Sequence, residues 1–254
     1  MSGNNDIVRA LSSDLVAKLK WAEEHIQQLE ARIDAFLDDA PHRTIVDDDV
    51  RAAESFKAFH DSRVVPVSIK LLAGETVYQL RSALDHMICG LILQDGGIPD
   101  HRSQFPIFRF RPVKRKGKTR YEGQVAGIRR AVVLALIERS QPYHRGDARD
   151  RDWLAALKVL SNTDKHRSLS MQVVEVQPTT NFTIAPLPDE GAETPAAAWL
   201  DGKPIEIVDV KPELTTQVSF GEFRYDGRLV PVIAGLRALH LSTAKLIALF
   251  ENVR

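Results

Sequence analysis

Cysteine is almost missing from this chain: Cys89 is the only one in 254 residues. An internal disulfide is excluded, and with it any fold stapled by disulfides. A single thiol suits a reducing compartment, so a cytoplasmic location is expected. Net charge is missing too, because 34 Lys and Arg balance 34 Asp and Glu. The molecule as a whole has no charge with which to attract nucleic acid or an anionic membrane. Long apolar runs are absent: the stretch from Met87 to Leu93 is too short to span a bilayer. The first residues, Met1-Ser2-Gly3-Asn4-Asn5-Asp6, are polar and lack a basic segment leading into an apolar one, so no secretory leader is expected. There is no Gly-rich phosphate loop, no G-x-G-x-x-G after a strand and no G-x-S-x-G.

What is present is ordinary in bulk and uneven in detail. Hydrophobic residues are 44% and charged residues 27%, enough for a soluble domain with a sizeable core. Residues 109–120, RFRPVKRKGKTR, carry seven basic side chains and no acid. Such a run reads as a solvated loop or as a phosphate-contacting one. Residues 34–49 form an acidic counterpart around Asp34, Asp38, Asp39, Asp47, Asp48 and Asp49.

Periodicity assigns most elements. Leu15, Leu19, Ala22, Ile26, Leu29, Ile33 and Phe36 recur in steps of four and three, which predicts one helix over 7–38. That stripe packs inside a bundle or against a second copy, so a homodimer is an open expectation. Residues 44–65 are ambiguous between helix and strand. A buried helix is predicted over 67–94, a loop over 98–122 anchored by Phe105-Pro106-Ile107-Phe108, and helices over 124–138 and 148–162. The period then drops to two. Leu169-Met171-Val173, Phe182-Ile184, Ile205-Ile207 and Val218-Phe220 predict four short antiparallel strands, with a hairpin turn at Asp201-Gly202 and a loop over 186–198. Pro231 opens a closing helix over 231–251. The expectation is one α+β domain over 1–254. It combines a mainly helical bundle, whose core is 67–162, with a small antiparallel sheet over 168–224.

Two short segments concentrate the unusual residues. On the helix 67–94, Arg81 and Asp85 are i,i+4 neighbours, as are Ser82 and His86. A charged stripe on a largely buried helix has to be paired or to face a cleft. The second segment, Asn162, Thr163, Asp164, Lys165, His166 and Arg167, is placed where a helix ends and a strand begins. Capping accounts for part of it. If the two segments meet, Arg81, Asp85, His86, Asp164, Lys165, His166 and Arg167 converge on one polar pocket.

The strings QLRSALDH (79–86), FPI (105–107), QPY (141–143) and NTDKHR (162–167) resemble, in order and spacing, a family of uncharacterised bacterial proteins. The resemblance spans about residues 65–175. Arg81-x4-His86 also resembles the R-x4-6-H motif of the HEPN superfamily, whose members are helical bundles, many of them metal-independent endoribonucleases and often dimeric. That resemblance implies a catalytic group of Arg81 at the scissile phosphate and His86 as general acid and base, with Asp85 beside Arg81. RNA is the implied partner, without cofactor or metal. The other reading is a non-catalytic interaction or small-anion-binding protein, with Asn162, Asp164, Lys165, His166 and Arg167 as binding residues beside Arg81. A metal-dependent hydrolase built on Asp85, His86, Asp164 and His166 has suitable ligand types but lacks the H-x-x-x-H spacing. Cys89 reads as a small core residue, and Tyr143 and Trp153 as packing residues.

Overall fold

The computed structural model describes residues 2–38, 64–114, 117–176, 183–186, 198–200, 203–208, 215–225 and 227–251. Most of the ambiguous segment 44–65, the loop 187–197 and the Asp201-Gly202 turn lie outside them. The helices are α1 (Ser2–Asp38), α2 (Val67–Gln94), α3 (Arg120–Gln124), α4 (Ala131–Arg139), α5 (Trp153–His166) and α6 (Val232–Glu251). A 3-10 segment, Pro142–Arg151, precedes α5. The strands are β1 (Met171–Val176), β2 (Thr183–Pro186), β3 (Ala198–Leu200), β4 (Lys203–Val208), β5 (Thr215–Tyr225) and β6 (Arg228–Pro231). The fold is α+β, mainly helical, with antiparallel strand pairing in the C-terminal half and a closing helix.

Where the sequence predicts one domain, two compact units are distinguished. The larger comprises Met1–Asp34, Val65–Gln172 and Val218–Arg254. The smaller comprises Ala35–Val64 and Val173–Gln217. In the smaller unit β4 lies between β2 and β3, with Ile184 opposite Ile207 and Trp199 opposite Pro204. A second sheet has the order β1-β5-β6, and the β5–β6 register shifts between Ser219 and Arg224. There are thus six strands among the described residues rather than the four predicted. β3, with three residues, is too short to show an alternating pattern, and the four residues of β6 do not alternate, since Leu229 and Val230 are adjacent apolar residues.

The larger unit is built around α2. Leu80, Leu84, Ile88 and Ile92 are fully buried along it. The α1 stripe buries Leu15, Ala22, Ile26, Leu29 and Ile33 within the same chain, as a 3.6-residue period dictates. α6 completes the core with Val232, Leu236, Leu239, Ile247 and Phe250. It is tied to α1 by an Arg237–Glu30 ion pair at 2.7 Å. Among the described residues, α6 alone has the length and apolar content of a membrane-spanning helix. Its mean hydropathy is spread over a whole helix, so a search for uninterrupted apolar runs passes over it. Val232, Leu236, Leu239, Leu246, Ile247 and Phe250 put part of that apolar content in the core, while Leu241 and Leu249 are exposed.

The helix predicted over 124–138 starts later, at Ala131. Gly127 breaks it, with φ +99°, and a Cβ there would meet Ile92 Cγ2 at 2.8 Å. α4 has no cap from its own N-terminus. Asp95, at the end of α2, supplies one instead. Its Oδ2 accepts from the Arg129 and Arg130 N–H groups at 2.6 and 3.1 Å, and its Oδ1 from Arg130 Nε at 2.6 Å. Burial pushes the Asp95 carboxyl up, but these donors together hold it below its ordinary 3.8. Asp95→Ala orphans two backbone donors and is expected to cost about 2 kcal/mol in urea denaturation. A carboxylate with a depressed folded pKa adds stability that is present above the unfolded value and lost as pH falls through the folded one. The gap between wild type and variant should therefore be full near neutral pH and close as pH drops below 3.8.

Candidate functional site

Three of the sequence motifs meet on one short stretch of chain. Residues 105–108 lie outside any helix or strand, so their backbone groups need other partners. Asp85 Oδ1 accepts from Phe105 N at 2.9 Å. Arg81 Nη2 donates to Phe105 O at 2.7 Å and to Asp85 Oδ1 at 2.8 Å. Gln141, fully buried, donates to Pro106 O at 2.8 Å and accepts from Phe108 N at 3.1 Å. Lys158 Nζ donates to Ile107 O at 2.7 Å and sits 5.2 Å from the centre of the Phe108 ring. The Arg and Asp of LRSALDH, the FPI segment and the Gln of QPY are thus parts of one bracket. Burial pushes the Asp85 carboxyl up and the Arg81 guanidinium down, while their mutual attraction opposes both shifts.

Behind this bracket is a polar cavity of about 120 Å³. Arg81 enters it from α2, Gln104 from just before the 105–108 segment, Arg120 and Gln124 from α3, and Lys158, Ser161, Asn162 and Lys165 from α5. Four of the lining residues are cationic and none is acidic. Lys158 registers the crowding. Its ammonium is pushed down first by burial and then by the neighbouring charges of Arg120, Arg81 and Arg109. Arg120 and Lys165 form no ion pair among the described residues. Arg81 directs all of its hydrogen bonds through Nη2, which leaves Nε and Nη1 without a protein acceptor among the described residues.

The lining was only partly legible. The sequence places the end of the helix near 162, but α5 continues to His166. That extra turn makes Lys158, Ser161, Asn162 and Lys165 one face, at i, i+3, i+4 and i+7. Of the predicted binding residues, Asn162 and Lys165 reach the cavity. Asp164 points elsewhere and packs against Gly74 of α2, where a Cβ would clash with it. Burial and then Glu75 push its carboxyl up. His166 and Arg167 are exposed and do not line the cavity. Lys158, Ser161, Gln104 and Gln124 were missed. Arg120 was visible only as the last residue of the basic run.

Arg81 and His86 are not brought together. Five residues apart, they differ by about 140° around the helix. His86 lines a separate groove of about 310 Å³ with Asp14, Ala17, Lys18, Trp21 and Gln79. Its Nδ1 is buried without a hydrogen-bond partner among the described residues. Burial, then Lys18, pushes its pKa below 6.5, against the opposing pull of Asp14 and Asp85. Asp85, His86, Asp164 and His166 form no metal-binding cluster among the described residues. The Cys89 thiol is pushed up by burial and by Asp85, the opposite of an activated nucleophile. Tyr143 donates to Glu138 Oε2 at 2.6 Å.

No family model matches the chain, and no curated protein or solved structure matches it.

Proposed function

We propose that the protein binds a small anion in the cavity between α2, α3 and α5, and that this binding is its primary biochemical activity. The observation that carries the reading is the charge of the lining: Arg81, Arg120, Lys158 and Lys165 converge on about 120 Å³ without an acidic residue among them. Like charges this close repel one another in a partly desolvated site. An anion relieves the repulsion and supplies acceptors for unused N–H groups. Net charge zero does not oppose this, because the field is local and the ligand small.

Metal-independent RNA cleavage draws its force from Arg81 and His86 acting on one phosphate. With the two residues lining different cavities of one chain, that reading has no geometric support comparable to the anion site. The test is a thermal-shift titration at constant ionic strength. Inorganic phosphate should raise Tm saturably in the wild type. The shift should be largely lost in the double variant Arg120→Gln/Lys165→Gln, whose side chains line the cavity, and survive in His86→Ala. If phosphate, sulfate and acetate all fail to give a saturable rise, the proposal is wrong.

A further inference from the structure

We infer that this cavity selects a dianionic tetrahedral group, the terminal phosphate of a phosphomonoester, over a carboxylate or an internal phosphodiester. The inference rests on the anion-binding reading above and adds the ligand's chemical class.

Charge counting is the first argument. The Asp85 carboxylate is paired with Arg81 at 2.8 Å and does not line the cavity. Arg120, Lys158 and Lys165 then remain around the cavity without an ionic partner among the described residues. A carboxylate or a phosphodiester brings one negative charge and leaves most of that repulsion in place. A phosphomonoester near neutral pH brings nearly two, since its second pKa is about 6. In a partly buried site the second charge is felt more strongly than in water.

Directionality is the second argument. The donors are carried by separate elements. They arrive from three helices and a connecting segment: Arg81 on α2, Arg120 on α3, Lys158 and Lys165 on α5, and the Gln104 amide. A carboxylate has two oxygens in one plane, which a single guanidinium satisfies bidentately. A monoester phosphate has three terminal oxygens pointing in different directions, and it matches a surrounding set of donors better. The Ser161 residue at the wall, only 5% exposed, adds a hydroxyl that makes no hydrogen bond to the protein among the described residues. A lining hydroxyl of this kind can donate to a third oxygen.

The experiment is isothermal titration of the full chain at pH 7.5 and fixed ionic strength with methyl phosphate, sulfate, dimethyl phosphate and acetate. Methyl phosphate and sulfate should bind roughly tenfold or more tightly than dimethyl phosphate and acetate. Lys165→Gln, which removes an exposed charge that makes no hydrogen bond or ion pair among the described residues, should narrow that ratio. Comparable affinity for methyl phosphate and acetate, or for methyl phosphate and dimethyl phosphate, would overturn the selectivity while leaving an anion site in place. No binding by any of the four would overturn both the selectivity and the anion-binding reading.

Discussion

Gln141→Ala is expected to destabilise the protein by about 3 kcal/mol, because it leaves two buried backbone groups without partners. Gln141 is fully buried and bridges two parts of the 105–108 segment, Pro106 O and Phe108 N. Its third bond, to Ile137 O at 3.0 Å, is the least costly to lose, since Ser140 Oγ also donates to that oxygen at 2.7 Å. Neither Pro106 O nor Phe108 N has another hydrogen bond within the described residues. Alanine also leaves a void that the surrounding packing fills incompletely. Gln141→Glu retains an acceptor for Phe108 N but presents a charge to Pro106 O, so it should not restore stability. Urea denaturation monitored by circular dichroism reads the difference directly. A loss well under about 1 kcal/mol would mean that the bracket is not what holds 105–108 in place.

The second large effect is functional rather than structural. Arg120→Gln combined with Lys165→Gln should leave the fold intact and weaken anion binding by roughly a hundredfold. Both side chains are exposed at the cavity and hold no hydrogen bond or ion pair among the described residues. Their removal relieves repulsion at Lys158, which Arg120 presses downward. The anion-free variant should therefore unfold no earlier than wild type, and the Tm rise with phosphate should be largely lost. Lys158 and Arg81 are unsuited to this separation, because each also supports the 105–108 backbone. A double variant that binds phosphate with wild-type affinity would remove the cavity from consideration.

What the sequence showed of this site follows from periodicity and its limits. α2 was legible to the residue because twenty-eight positions repeat one apolar pattern between Pro66 and Asp95. The pairing of Arg81 with Asp85 followed from that helix alone. Their shared target, Phe105, is a tertiary contact twenty or more residues away, and no local pattern encodes it. Gln141 and Asp95 lie beside helix ends, and each satisfies backbone groups of a segment more than thirty residues away, which no local pattern encodes. The cavity face of α5 was obscured by a misplaced helix end: Asn162, Thr163 and Asp164 favour turns, yet here they remain helical. Tertiary contact overrides a weak local preference in such a case. Asp164 packed against Gly74 is the visible form of that contact.

Arg81 and His86 teach a complementary lesson. A spacing of five on a helix puts two side chains on diverging faces, and only their surroundings decide whether they serve one site. Here Arg81 faces α3 and α5, while His86 faces α1.

The most direct measurement is an anomalous difference map from crystals of the full chain soaked in selenate, a tetrahedral dianion that marks its own position. A peak is expected inside the cavity, about 4 Å from Lys158 Nζ once the Se–O bond is added to an N–H···O hydrogen bond, and flanked by Arg81 and Lys165. An empty cavity at saturating selenate, or a peak confined to the groove beside Lys18 and His86, would contradict it.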